Sequence, residues 1–123
     1  MKKMLLLSVV LCIVAGAAYA AEPVKIGLMC PLTGSWASEG QDMKQIVELL
    51  ADEVNAAGGV LGQQIEIITE DDGGDPRTAA LAAQRLATQG IVAVIGTYGS
   101  SVTEASQNIF DESKIIQVAN GST

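Results

Sequence analysis

Between Gly96 and Ser101 the chain reads Gly-Thr-Tyr-Gly-Ser-Ser, a loop of hydroxyls and glycines without lysine or arginine. Such a loop suits one chemistry. Hydroxyl and amide donors can converge on an anion, and the lack of a cation favours a small monoanion such as a carboxylate over a triphosphate. A helix starting here would add to them, because its first amides have no intrahelical partner and carry the positive end of its dipole. Ser101 with Glu104 three residues on fits a capping box, which predicts a helix beginning at Ser101. Ser100 and Ser101 then flank the anion position, although Ser100 could equally be a loop serine beside that box. Ahead of the loop, Ile91-Val92-Ala93-Val94-Ile95 is a continuous apolar run and predicts a strand buried on both faces.

The remaining elements must hold this loop in place. Val24 to Met29 reads as a first strand, followed by a loop, Pro31-Leu32-Thr33-Gly34-Ser35-Trp36. From Ala37 a helix carries Met43, Ile46, Val47, Leu50, Ala51 and Val54 at helical spacing, and Gly58-Gly59 stops it. Gln64 to Thr69 is a second strand. Asp75-Pro76 opens the next helix as N-cap and first helical residue, and Ala79, Ala80, Ala83, Leu86 and Ala87 give it a small face. After the third strand and its helix, Lys114 to Ala119 is a fourth strand. Strands alternating with helices across short loops predict an α/β fold, a parallel doubly wound sheet with helices on both faces. In such sheets ligands bind outside the carboxyl ends of the strands, where strand order reverses. The loops at those ends are Pro31 to Ser38, Asp71 to Asp75, Gly96 to Ser101 and Asn120 to Thr123. The last two follow neighbouring strands, so their hydroxyls and amides should converge. No helix follows the fourth strand, which leaves one face of the sheet without its cover.

Other residues with chemical potential have plainer uses. Glu70-Asp71-Asp72 could suggest a metal, but Gly73-Gly74-Asp75-Pro76 reads as a turn and N-cap, and the acids read as an acidic turn capping the next helix. No metal or cofactor is expected, since neither a P-loop nor a dinucleotide fingerprint is present. Cys30 follows an apolar strand and reads as a small hydrophobe; as a nucleophile it would need a base, and the chain has no histidine. Trp36, the only tryptophan, could pack or could meet a ligand.

The N-terminus reads as a cleaved signal peptide over residues 1–20. Lys2 and Lys3 precede an apolar core from Leu5 to Val14, and Ala18-Tyr19-Ala20 has the small-x-small pattern of a cleavage site. The core is short for a membrane span, and Cys12 lies inside it rather than at a lipidation position. Export to the periplasm is the expectation. Without the leader, five basic residues face fourteen acidic ones, a net charge near −9. That speaks against nucleic acid, whose binding rests on basic contacts to phosphate. Cys30 would then be the sole cysteine, so no internal disulfide is expected.

Five motifs in order, Val24-Lys25-Ile26-Gly27, Pro31-Leu32-Thr33-Gly34, Asn55-Ala56-Ala57-Gly58-Gly59, Asp71-Asp72…Asp75-Pro76 and Val94-Ile95-Gly96…Ser100, resemble the leucine/isoleucine/valine-binding proteins. These are periplasmic receptors of branched-chain amino acid ABC transporters with the type 1 periplasmic-binding fold, in which two α/β lobes close on an amino acid. The resemblance implies that residues 21–123 are part of an N-terminal lobe and that a second lobe is missing. It implies as partners a small-molecule amino acid and the membrane permease subunits, and a monomer when full length.

Matched residue by residue, the resemblance puts the α-carboxylate on the hydroxyls and amides of Ser100 and Thr123. It puts the ligand ammonium on the backbone carbonyl of Gly121, with the Thr123 hydroxyl sharing that task. Gly99 and Tyr98 would shape the floor, and Trp36 belongs to the loop that meets the ligand side chain. Two departures from the family stand out. Some members link the positions of Gly74 and Gly99 by a disulfide, and a pocket-facing aromatic of some members aligns with Glu39. A transport receptor for an amino acid is therefore the expected function. The alternative is a sensor domain for amino acids, short amides or urea. An enzyme is not expected, for want of a histidine, a cofactor loop or paired carboxylates beside a nucleophile.

Overall fold

Seven elements alternate strand and helix along the chain: β1 (Val24–Cys30), α1 (Ala37–Ala56), β2 (Ile65–Asp71), α2 (Pro76–Ala87), β3 (Ala93–Ile95), α3 (Ser100–Glu112) and β4 (Ile116–Val118). They are taken from a computed structural model that describes residues 21–123; the expected leader, residues 1–20, lies outside the described residues. All strand pairs are parallel and form one sheet in the order β2-β1-β3-β4. Residue for residue, β1 pairs with β2 from Val24↔Ile65 to Cys30↔Asp71, and its other edge pairs with β3 at Leu28↔Ile95. From β1 the chain steps to one side for β2 and to the other for β3. The order therefore reverses between β1 and β3, and a crevice opens at their carboxyl ends.

Side chains alternate across the sheet, as the two-residue period of a strand requires. Met29, Ile68 and Val94 face α2 and α3 and join Ala79, Ala82, Ala83, Leu86, Val102 and Phe110 in the core. The alanines of α2 let that helix lie close to both the sheet and α3. On the other face, Ile26, Ile67 and Ile95 line an apolar groove of about 130 Å³ with Val47, Leu50 and Val54 of α1. This side is thinly covered. Ile46, Leu49 and Leu50 remain 58, 60 and 53 % exposed.

Helix boundaries follow local chemistry where local chemistry is strong. Asp75 caps α2 by accepting from the amides of Arg77 and Thr78 at 3.0 and 3.1 Å, with Pro76 at the first turn. Helix α1 stops where the Gly58 and Gly59 amides return to the carbonyls of Asn55 and Val54. The Asn55 side chain also ties α1 to β2, donating to the Ile65 carbonyl and accepting from its amide.

Three strand expectations need correction. The run from Ile91 to Ile95 is a strand only over Ala93–Ile95, because Ile91 turns into the core while Val92 faces solvent. Strand β2 extends through Glu70 and Asp71, which pair with Met29 and Cys30 instead of lying in a turn. Strand β4 begins at Ile116, because Lys114 takes a left-handed turn conformation, with φ 59°, as the chain leaves α3.

Candidate functional site

The site is built from the four loops that follow the strands. Helix α3 starts at Ser100 with Gly99 as its N-cap residue, and no side chain caps it. The capping box expected at Ser101 is thus not formed. Ser101 lies inside the first turn, where its own backbone is helical, and the hydroxyl one residue earlier is turned elsewhere. The first backbone bond of the helix runs from the Thr103 amide to the Gly99 carbonyl at 3.1 Å. The amides of Ser100, Ser101 and Val102 thus head the helix at its positive end, with no intrahelical carbonyl to bond.

Ser100 and Thr123, 23 residues apart, meet here. The Thr123 amide donates to Ser100 Oγ at 3.1 Å, and the two hydroxyls are 3.4 Å apart. Parallel pairing of β3 with β4 brings the two loops together, as their neighbouring positions predicted. Gly121 lies against Tyr98, where a Cβ would come within 2.8 Å of Tyr98 Cδ2. Tyr98 meets Trp36 edge to face, with ring centroids 5.5 Å apart and planes at 79°. All six expected residues, Trp36, Tyr98, Gly99, Ser100, Gly121 and Thr123, therefore fall in one contiguous cluster at the crevice between β1 and β3 and its continuation to β4. Glu39 lies in the first turn of α1, three residues after Trp36; its carboxylate is held below the usual range by a backbone hydrogen bond at its own residue and by the Ser38 hydroxyl.

Beneath the loops runs a set of hydroxyls that spacing alone did not reveal. Thr97 is fully buried and bonds the Thr103 hydroxyl at 2.6 Å, and Thr103 also bonds the Gly99 carbonyl and Ser122. Gln117 of β4 donates to the Gly96 carbonyl and to Ser106 of α3. These bonds fasten the head of α3 to the ends of β3 and β4. Repeated threonines and serines after an apolar strand were the only sequence signal for them.

The acidic residues divide their roles differently from the expected acidic turn. Asp71 accepts from the amides of Leu32 (2.8 Å), Thr33 (3.3 Å) and Gly73 (2.8 Å), and from the Thr33 hydroxyl (2.7 Å). Partial burial raises its pKa, but these bonds outweigh that and hold the carboxyl below its ordinary range. Glu70 instead pairs with Arg85 at 2.8 Å. Asp72 is fully buried; one oxygen accepts from the Gly74 amide and the other has no hydrogen-bond partner. Its pKa is raised, chiefly by burial. Cys30 is buried, and burial followed by the charges of Asp72 and Asp71 pushes its thiol up to about 12. A thiol so protonated packs and does not attack. Among the described residues no cluster of three or more His, Cys, Asp or Glu is placed to hold a metal ion. A depression of about 520 Å³ lies against α3 and β4, and neither Ser100 nor Trp36 lines it.

With this arrangement in view, comparison with known proteins is informative. Residues 23–123 match the model of the family described as periplasmic binding protein, and the chain belongs to that family. It is 36 % identical over 124 residues to the Leu/Ile/Val-binding protein homolog 2 of Brucella abortus, an alignment that spans all of this chain and 33 % of that protein. Among solved structures, the branched-chain amino acid transporter substrate binding protein LivJ of Streptococcus pneumoniae, crystallised with isoleucine, superposes with a TM-score of 0.78. That match has 31 % identity and covers 82 % of this chain and 29 % of LivJ. A fatty acid ABC transporter substrate-binding protein from Thermomonospora curvata matches at a TM-score of 0.72 and 27 % identity, covering 80 % of this chain and 25 % of that one. The chain thus spans about a third or less of the length of the relatives it matches. The parallel sheet and its helices are those of a type 1 periplasmic-binding lobe.

Proposed function

We propose that residues 21–123 form part of the N-terminal lobe of an extracytoplasmic receptor, exported by the leader at 1–20, which captures an amino acid and hands it to an ABC permease. The observation that carries this reading is the meeting of Ser100 and Thr123 at the uncapped head of α3. Their hydroxyls and the free amides of the first turn offer a carboxylate several charge-assisted donors in one place. The Gly121 carbonyl would accept from the ammonium, and Trp36 and Tyr98 would border the ligand side chain. Both the Leu/Ile/Val-binding relative and the isoleucine-bound LivJ support an aliphatic amino acid. Binding rather than catalysis suits a crevice whose nearby thiol stays protonated and a chain without histidine.

Calorimetric titration of the complete protein with leucine, isoleucine, valine, a medium-chain fatty acid and urea tests the reading. Micromolar binding of a branched-chain amino acid is expected. Binding of the fatty acid alone would keep the carboxylate and overturn the amino acid. Binding of urea alone would overturn both.

A further inference from the structure

The benzo edge of Trp36 lies over two glycines from different loops. A Cβ on Gly74 would come 2.8 Å from Trp36 Cε3, and a Cβ on Gly99 would come 3.1 Å from Cζ3 and 3.3 Å from Cη2. Contacts under 3.0 Å are not tolerated between carbon atoms, and those near 3.1 Å force a neighbour to move. Both glycines also have positive φ, 66° and 104°, which makes any side chain there strained for a second reason. Tyr98 closes the slot edge-on. From below, Asp71 draws the loop carrying Trp36 onto the loop carrying Gly74 by bonding Leu32, Thr33 and Gly73 together. The ring is thus wedged at the carboxyl ends of β1, β2 and β3, with 37 % of the residue left exposed.

We infer that Gly74 and Gly99 are specificity-determining positions of this crevice: together they form the slot that fixes the Trp36 indole as one wall of the ligand site. The part of this inference that concerns ligand choice rests on the amino-acid reading above; the slot itself does not. A side chain at either glycine would push the indole outward and change the room left for the ligand side chain; at Gly74 it would do so from the loop after β2, away from the head of α3 that Gly99 caps.

Trp36 is the only tryptophan of the chain, so its emission and near-ultraviolet dichroism report its seat directly. Gly90 provides the control, since it has φ 74° but nothing within 4 Å of an added Cβ. Gly74→Ala and Gly99→Ala should red-shift the emission and raise acrylamide quenching roughly twofold, as an overpacked ring leaves its seat. Gly90→Ala should lower Tm and leave the spectrum unchanged. Should a variant be too unstable to read alone, Trp36→Phe removes the atoms that clash. It should restore part of the Tm lost in Gly74→Ala or Gly99→Ala and none of that lost in Gly90→Ala. Unchanged Trp36 spectra in folded Gly74→Ala and Gly99→Ala, or equal rescue of all three glycine variants, would overturn the slot. In the complete protein, Gly74→Ala should shift the leucine-to-valine affinity ratio about tenfold. A moved spectrum with an unmoved ratio would overturn the specificity role while leaving the slot. Loss of every amino acid from the unaltered protein would overturn the amino-acid reading alone.

Discussion

Asp71 shows how one side chain can tie two loops of the candidate site together. Its four acceptor bonds join the loop after β1 to the turn after β2. Asp71→Ala leaves those donors without a partner and should cost about 1.5–3 kcal/mol at neutral pH, read from urea denaturation. Because the folded-state pKa of Asp71 is lowered, its contribution is present above the ordinary carboxylate pKa and is lost as pH falls through the folded value. The gap between wild type and Asp71→Ala should therefore narrow below about pH 4. Asp72 works in the opposite sense: its raised pKa makes ionisation a cost, relieved as pH falls through the folded value. At the head of α3 the two serines also differ. Ser100→Ala in the complete protein should weaken amino-acid binding roughly ten- to a hundredfold, equivalent to about 1.5–3 kcal/mol. Ser101→Ala should change both Tm and affinity little, since Ser101 caps nothing. A Ser101→Ala affinity loss matching that of Ser100→Ala, seen by calorimetry, would contradict this division.

Among the elements, α2 is the one most fully dictated by its own residues. Asp75→Ala removes its N-cap and should lower the urea midpoint with the slope unchanged. That helix was legible because Asp-Pro acts within four residues. So was the α/β order, since alternating patterns and glycine stops are local too. Features set by distant partners were not. Nothing near Asp71 announces that its acceptors serve amides 38 and 39 residues earlier. The box at Ser101 satisfied a sequence rule, yet the helix starts one residue sooner, where Ser100 finds Thr123. The run at Ile91 to Ile95 hid a change of direction, because an apolar residue leaving a helix can enter the core before any strand begins. The six candidate site residues came with the family resemblance, and the observed order β2-β1-β3-β4 brings the loops that carry them together. Their convergence was readable; the wedge of Trp36 between Gly74 and Gly99 was not, since glycine has no side chain to signal a contact.

For the whole molecule, the two faces of the sheet are unequal. The α2–α3 side holds the buried core, whereas the α1 side leaves Ile46, Leu49 and Leu50 largely in solvent beside an apolar groove. Residues 21–123 on their own should therefore bind an apolar dye such as anilinonaphthalene sulfonate under native conditions, and Leu50→Glu should reduce that signal. Dye fluorescence at the level of a fully buried globular protein would contradict the exposed face. The same residues should bind leucine no better than about millimolar. A few donors at the head of α3 face an immobilisation cost of at least ~4 kcal/mol and compete with water in an open crevice.

The central claim is that the ligand carboxylate rests on Ser100 at the head of α3. Calorimetry on the complete protein, titrating leucine and leucinamide into wild type and Ser100→Ala, measures the coupling between that carboxylate and that hydroxyl. The amide should bind wild type roughly a hundredfold more weakly than leucine, and this difference should shrink about tenfold in Ser100→Ala, because part of it passes through the deleted bond. The same leucine-to-leucinamide ratio in both proteins would show that the carboxylate is held elsewhere.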